Sequence, residues 1–424
     1  MAGNDRDSKV ILTKRDGKIL SLFFRKGRLY RASAEPEEGS ILGGIYVGRV
    51  RQIKENMPAA FVEIEPGLLC FLDQKEVRDP VLMNRAYDGR LKAGDEILVQ
   101  VSREAMGTKP PSVSASLSLD GRFCVVSTGR PGIFYSSRLS AKARQRLSEM
   151  VEVPEAGVLE VAGRFGIVLR TSAGELREDG RLLLEEIHRL AKTLEELIAH
   201  AGHRTCFSCL YRKMPAYLSG IRDLQKQEYR ELITDDAEIM EQIRRFFTSF
   251  SERDSGVQVP VPPSGDRPEN GELPSLRFYQ DEQLSLAKLY SIDTRLEEAQ
   301  ARKVWLKSGG YLVIDPTEAL TVIDVNSGKM SKKKEAEAMY LQMNLEAAEE
   351  IALQLSLRNL SGIIIVDFIN MKEEEARKKL MAHLGDLLKQ DPVKTALVDM
   401  TVLGLVEITR KKINRPLKEQ LKKE

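Results

Sequence analysis

The sequence predicts an α+β chain of several domains. Three observations carry this. Short alternating strands separated by glycine turns fill roughly the first 120 residues. A mainly helical stretch follows between residues 216 and 300. Apolar strand runs then alternate with helical patterns to the carboxyl end, an order that favours a sheet covered by helices. A length of 424 residues suits about two to four domains, each able to bury its own core.

Residues 10–34 alternate polar and apolar and are punctuated by Asp16-Gly17 and Lys26-Gly27, so the chain opens as a β-meander. Acidic EPEEG at 35–39 breaks the pattern. From 41 to 119 come GGIYVGRVRQI, AAFVEIEPGLLCFLD and DEILVQVSREA, short strands that fit an OB-type barrel. Phe61 and Phe71 fall on successive strands, with Arg49, Arg51 and Lys54 nearby. Aromatics interleaved with positive charge suit single-stranded nucleic acid, and barrel core is the equal alternative for both rings. Lys109, in GTKPP, sits in a loop, where it either reaches a phosphate or is simply solvated.

Residues 121–217 form a smaller α/β unit, with strands RFCVV and FGIVLRT and helices over 142–150 and 181–201. Arg170-Thr171-Ser172-Ala173-Gly174 ends a strand with a cation, two hydroxyls and a glycine. That combination can hold a terminal phosphate through a guanidinium fork and a hydroxyl, although Arg and Thr at a strand end are also ordinary. Helices are predicted over 221–232, 236–249 and 282–302, interrupted by a Pro/Gly-rich segment at 255–274 that reads as an exposed, mobile loop.

After Trp305 come YLVIDP, ALTVIDVN, a helix over 334–357, GIIIVDF, a helix over 372–389 and TALVDMTVLGLVEITRKK. Within 319–371 a strand–helix–strand order favours a right-handed crossover and parallel strands. Asp324 and Asp367 then lie toward the carboxyl ends of their strands, the side where open α/β sheets take ligands. Two carboxylates there repel unless a cation sits between them, and Mg²⁺ suits such an oxygen set. Asn326 shares a strand face with Asp324 and can orient it or a metal-bound water. Taken singly, each Asp reads as a turn former or helix cap. Basic residues at Lys329, Lys332, Lys333 and Lys334, and again at Arg410, Lys411, Lys412 and Arg415, flank this edge as solvated faces or phosphate contacts.

Composition narrows the partners. Charged residues make up 30% of the chain yet leave a net charge of only +2, so any nucleic-acid surface must be local. The polar start MAGNDRDSKV and the lack of a long apolar run predict a cytoplasmic protein with no membrane span. Four cysteines without framework spacing agree with a reducing compartment. Cys206 and Cys209 form a CxxC behind His200 and His203; buried small residues without metal is the preferred reading, since structural zinc usually needs two separated ligand pairs.

IDVNSGK, NLEAAEEIALQL, GIIIVDFINM and LGLVEITRKK, in that order and spacing, resemble the catalytic region of the RNase E/G endoribonuclease family. The likeness extends upstream through GGIYVGRV, AAFVEI, the GTK loop, FGIVLRT and KSGGYLVID. It implies an RNase H-like domain (1–40 and 216–300) split by an OB barrel (41–119) and a 5′-end sensor (120–215), then a DNase I-like catalytic domain (301–424). It also implies Mg²⁺-dependent internal cleavage of single-stranded RNA, in processing and decay of rRNA, mRNA and tRNA. The implied products carry a 5′-phosphate and a 3′-hydroxyl, and 5′-monophosphorylated RNA is favoured. Asp324 and Asp367 match the metal ligands, and Asn326 the residue that steadies the first. Arg170 and Thr171 match the 5′-phosphate grip, and Phe61, Phe71 and Lys109 match RNA contacts.

Three positions depart from the family pattern: Val402 replaces a Lys or Arg, Tyr135 a smaller residue, and Pro110 a Gly. No CPxC follows Arg410, so the resemblance implies no zinc-linked dimer for these residues and leaves another homo-oligomer open. A non-catalytic RNA-binding or ribosome-associated protein is the alternative.

Overall fold

Two tight turns set the start of the chain. Asp16 and Gly17 have φ of 49° and 71°, and Lys26 and Gly27 have 51° and 70°. Positive φ at both central residues matches the twist of a two-residue hairpin, which Gly adopts without strain. The turns join β1 (Ser8–Arg15), β2 (Lys18–Arg25) and β3 (Arg28–Pro36) as an antiparallel meander. The structure, a computed structural model, describes residues 8–54, 58–105, 109–176, 180–223, 229–255, 274–328 and 336–422, with side chains omitted at 223, 248–255 and 336. These fall into two compact units: one takes residues up to 38, those from 224 to 252 and those from 257 onward, and the other takes 39–223 and 253–256.

The second unit begins with β4 (Ile45–Lys54), β5 (Ala59–Glu65), β6 (Leu68–Asp73), β7 (Glu96–Arg103) and β8 (Ser112–Ser114). They pair in the order β4-β5-β6-β8-β7, and β7 returns to β4, so the sheet closes on itself. β6 and β8 run parallel and the other pairs antiparallel. The barrel is therefore OB-like, as the strand run predicts. Alternation sends Val62, Ile64, Cys70, Leu72, Ile97 and Val99 into its core. Asp95 is buried beneath the loop before β7 and accepts from Arg85 Nε at 2.6 Å, Arg85 Nη2 at 2.7 Å and the Lys92 amide at 2.6 Å.

Next come β9 (Ser118–Asp120), β10 (Cys124–Ser127), β11 (Gly132–Tyr135), α1 (Ala141–Val151), α2 (Val158–Arg164), β12 (Gly166–Leu169) and α3 (Arg181–Ala201). The sheet order is β11-β12-β10-β9. α3 buries Leu183, Ile187, Leu190 and Leu194, one stripe at three- and four-residue spacing. Its Glu186 accepts the amides of Arg122 and Phe123 at 2.7 Å each, which fixes the approach to β10. β13 (Cys209–Tyr211) adds to β4, and α4 (Ala216–Asp223) closes the unit.

The first unit resumes with β14 (Glu231–Thr234), α5 (Ala237–Ser255), β15 (Ser275–Phe278), α6 (Leu286–Leu289) and α7 (Ile292–Gln300). β14 pairs parallel with β1 and with β15, giving the order β15-β14-β1-β2-β3. Two helix expectations are corrected here. The 221–232 helix is described only as far as Asp223, and Leu232 lies on β14 opposite Val10, because a short apolar run reads equally as strand or helix. The 282–302 helix breaks at Ser291, whose φ of 49° is left-handed, and Arg302 lies past its end. Most of the predicted loop at 255–274 falls outside the described residues.

The remaining elements are β16 (Lys303–Trp305), β17 (Tyr311–Pro316), β18 (Leu320–Asn326), α8 (Ala336–Leu357), β19 (Gly362–Asp367), α9 (Glu374–Lys389), β20 (Thr395–Met400), β21 (Leu405–Arg410) and α10 (Leu417–Gln420). They build a six-stranded sheet of order β16-β17-β18-β19-β21-β20. Only the crossover pair β18–β19 is parallel, as predicted. Ile323, Val325, Ile364, Val366, Val406 and Ile408 turn one face into a core with α8 and α9. The alternate residues are left on an open face.

Candidate active site

Asp324 and Asp367 are direct partners in the parallel β18–β19 register. Both carboxylates stand exposed on the open face, because Ile323, Val325 and Val366 take the buried positions beside them. Adjacent strands lie about 4.8 Å apart, so the two side chains can share one ligand. Asn326 Nδ2 donates to Asp324 Oδ2 at 2.7 Å, as its placement two residues on predicts. Among the described residues, the Asp367 carboxylate has no hydrogen bond or ion pair, and neither Asp caps a helix or closes a turn. Two neighbouring carboxylates without a cation partner, both hard oxygen donors, fit a divalent ion such as Mg²⁺.

The surroundings hold this pair from behind. Asn344 of α8 is fully buried; its Nδ2 donates to the Ile369 carbonyl at 2.8 Å, and its Oδ1 accepts the Ile369 amide at 3.0 Å. This double bond to one peptide unit pins the chain two residues after Asp367. Glu337 Oε1 accepts the amides of Lys372 at 2.5 Å and Glu373 at 3.0 Å, securing the turn into α9. Gly328, at φ 67°, lies where a Cβ would come within 2.7 Å of the Gly309 carbonyl, so the loop leaving Asn326 needs glycine there. Asn344 lies in NLEAAEE and could have been suspected as an Asn inside an otherwise apolar and acidic helix.

The basic flanks are not both beside the pair. β21 runs antiparallel to β19, with Leu405 opposite Asp367 and Arg410 opposite Gly362. Arg410 thus lies at the far end of the strand, roughly 17 Å away at ~3.3 Å per residue. It is buried in an ion pair with Asp391 at 2.7 Å and donates to Asn359 Oδ1 and the Leu360 carbonyl at 2.9 Å each. Its role is to join elements, which corrects the expected phosphate contact. The cluster Lys329, Lys332, Lys333 and Lys334 lies outside the described residues. Val402 and Leu403 stand fully exposed at the β20–β21 turn.

On the barrel, Phe61 and Phe71 are cross-strand partners on the outer wall, with ring centroids 6.1 Å apart and near-perpendicular planes. Both are half-buried and neither belongs to the core. The nearby cations are largely committed: Arg49 pairs with Glu96 at 2.8 Å, Arg51 pairs with Glu63, and both lie over the Phe207 ring at 5.5 and 5.9 Å. Phe207, at φ 71°, is an aromatic at this wall that no sequence signal marked. Lys54 and Lys109 are exposed, and residues 106–108 beside Lys109 lie outside the described set.

Arg170 and Thr171 follow β12. Thr171 is exposed, its hydroxyl 3.1 Å from that of Ser136, whose carbonyl accepts from Arg144 Nη2 at 3.1 Å. Arg170 is half-buried and donates to the Gly121 carbonyl at 2.6 Å. Ser136 and Arg144 are thus added to the predicted pair. Tyr135 directs its hydroxyl to Glu152 at 2.8 Å, and Ser136, just past the end of β11, is the neighbour of Thr171.

Among the described residues no three His, Cys, Asp or Glu side chains converge as a metal-holding group. His200 Nδ1 lies 2.7 Å from the Glu196 carbonyl, and burial pushes the Cys206 thiol up, away from the thiolate a metal takes. Nor is any described helix long and apolar enough to cross a membrane.

Comparison with known proteins gives the family. The model of the Ribonuclease E/G family matches residues 118–413. The chain is similar to Ribonuclease E of Synechocystis sp., with 31% identity over 382 residues, 89% of this chain and 53% of that protein. It is similar to Ribonuclease G of Salmonella typhimurium, with 29% identity over 393 residues, 90% of this chain and 75% of that protein. With Ribonuclease E of Escherichia coli it shares 28% identity over 403 residues, 92% of this chain and 35% of that protein. The chain spans about half the length of the Ribonuclease E relatives from Synechocystis sp. and Nostoc sp..

Proposed function

The chain belongs to the ribonuclease E/G family, and from that premise we propose that it is a Mg²⁺-dependent endoribonuclease acting on single-stranded RNA. The observation that supports this most is the in-register pair Asp324 and Asp367, exposed, adjacent and without a cation partner among the described residues. When bound there, a divalent ion supplies neutralisation at a phosphate oxygen and a more acidic water. The chain's own part is positional. Asn326 orients Asp324, Asn344 fixes the segment behind Asp367, and the sheet holds both carboxylates in one geometry before substrate arrives.

On this reading the barrel binds the RNA strand through Phe61 and Phe71, with Lys109 as a cationic contact. The Thr171–Ser136 hydroxyls with Arg170 take a 5′-monophosphate. The meander with β14 and β15 is the RNase H-like part, and the six-stranded sheet with α8 and α9 the DNase I-like part. The products carry a 5′-phosphate and a 3′-hydroxyl, and the setting is the cytoplasm.

The test is direct. Single-stranded RNA carrying a 5′-monophosphate or a 5′-triphosphate is incubated with the protein, with and without Mg²⁺. Internal cuts are expected only with Mg²⁺, and faster for the monophosphate. RNA binding without cuts under all conditions would replace this reading with that of a non-catalytic RNA-binding protein.

A further inference from the structure

Trp305 is the sole tryptophan of the chain and is 64% exposed, on the edge strand of the sheet that carries the carboxylates. It faces Tyr311 across the β16–β17 pair, with centroids 5.3 Å apart and planes at 62°. Lys303, two residues back and so on the same face, sets its ammonium 3.9 Å from the Trp305 centroid and 3.5 Å from that of Tyr311. Lys303 has no carboxylate partner among the described residues.

The register carries this cluster to the carboxylates. One row reads Trp305, Tyr311, Asn326, and the next reads Lys303, Val313, Asp324, Asp367. All of these side chains point to the open face. Two strand spacings of ~4.8 Å put Trp305 roughly 10 Å from Asn326, within reach of a nucleotide adjoining a phosphate held at the carboxylates.

A lysine alone would guard an edge strand against pairing with another chain. An open indole beside it works against that purpose, since exposed aromatic surface on an edge invites association. Stacking by a flat ligand accounts for both groups. Each nucleobase has a π-face for Trp305, and Lys303 can meet the phosphate that follows. The cleft of about 530 Å³ that Trp305 also borders suits a phosphate less: Arg28 is paired with Glu350 at 2.6 Å, and Glu346, Glu349 and Asp391 line the same walls as Arg31 and Lys307.

We propose that Trp305, Tyr311 and Lys303 form a base-stacking platform for single-stranded RNA on the same sheet face as Asp324 and Asp367. It deepens the endoribonuclease reading and rests on it for the choice of RNA. It sets which nucleotide near the reactive phosphate is immobilised.

Because the chain has one tryptophan, its emission reports on this position in the unaltered protein. Oligoadenylate is titrated into the protein without Mg²⁺, and indole emission is followed beside the anisotropy of a labelled copy. The expected result is quenching along the anisotropy isotherm. Trp305→Ala should bind roughly 5- to 150-fold more weakly, and Trp305→Phe, which keeps a ring, close to the parent. RNA binding with unchanged emission, together with full affinity in Trp305→Ala, overturns the platform even if Mg²⁺-dependent cleavage is intact. Emission that follows protein concentration and mass in place of RNA assigns the face to a second copy and also overturns it. Absence of both binding and cleavage removes the platform and the nuclease reading together.

Discussion

The outer wall of the barrel and the open face of the six-stranded sheet both present aromatic and charged groups, but they treat charge differently. On the barrel wall Arg49 and Arg51 have internal partners, Glu96 and Glu63, and both lie over Phe207. On the sheet face Asp324, Asp367 and Lys303 keep their charges without an opposite charge among the described residues. Around Phe61 and Phe71 the barrel wall offers stacking surface with its neighbouring arginines already paired. The sheet face is electrostatically incomplete, which is what a site for a cation and a polyanion requires. A count of charged residues would not separate the two, and their partners do.

The sharpest way to break this contrast is to remove a carboxylate. Asp324→Asn and Asp367→Asn keep shape and lose charge, so RNA cleavage should fall on the order of 10³-fold or more while RNA affinity changes little. Timed cleavage of a labelled RNA beside a binding isotherm checks this. On the barrel, Phe61→Ala or Phe71→Ala should weaken RNA binding roughly 5- to 150-fold. Arg51→Ala, whose charge is already balanced by Glu63, should cost only about twofold at moderate salt. Equal losses for the phenylalanine and arginine variants would end the distinction.

Asn344→Ala leaves the Ile369 peptide unit without its buried partner. Unfolding free energy should drop by about 1–3 kcal/mol in a denaturant series, and cleavage should slow more than RNA binding weakens. The smallest effect concerns pH and the barrel. Burial pushes the Asp95 carboxyl up, but the Arg85 guanidinium and the Lys92 amide outweigh it and hold it below the usual carboxylate range. A depressed folded value gives stability that is fully present above the unfolded value of about 3.9 and is lost as pH falls through the folded one. Thermal midpoints should therefore decline below about pH 4 in the parent. Asp95→Asn should start lower and lack that component of the decline.

Much of this was legible in the sequence, for identifiable reasons. Asp16-Gly17 and Lys26-Gly27 announce hairpins through local backbone chemistry, and the runs ending in Asp324 and Asp367 announce strands, although their apolar make-up suggests full burial and Val322 and Ile363 are exposed. Their parallel pairing then brings two carboxylates into one register, a consequence of topology that spacing implies. Long-range partners were not legible. Arg410 reads as one more cation in a basic tail, and only the antiparallel return of β21 puts it at the far end of β19, beside Asp391. Leu232 sits in a run too short for its period to decide, and pairing with β1 makes it a strand. Trp305 marked the start of a strand region, but its relation to Lys303 and Tyr311 exists only across two strands. Phe207 and Asn344 matter through contacts many residues away.

The central claim is that Asp324 and Asp367 together hold one divalent ion. Mn²⁺, which suits carboxylate and water ligands as Mg²⁺ does, can be counted on the protein by electron paramagnetic resonance. A bound ion is expected in the parent and is lost in both Asp324→Asn and Asp367→Asn along with RNA cleavage. Unchanged Mn²⁺ binding and unchanged cleavage in the double variant would contradict it.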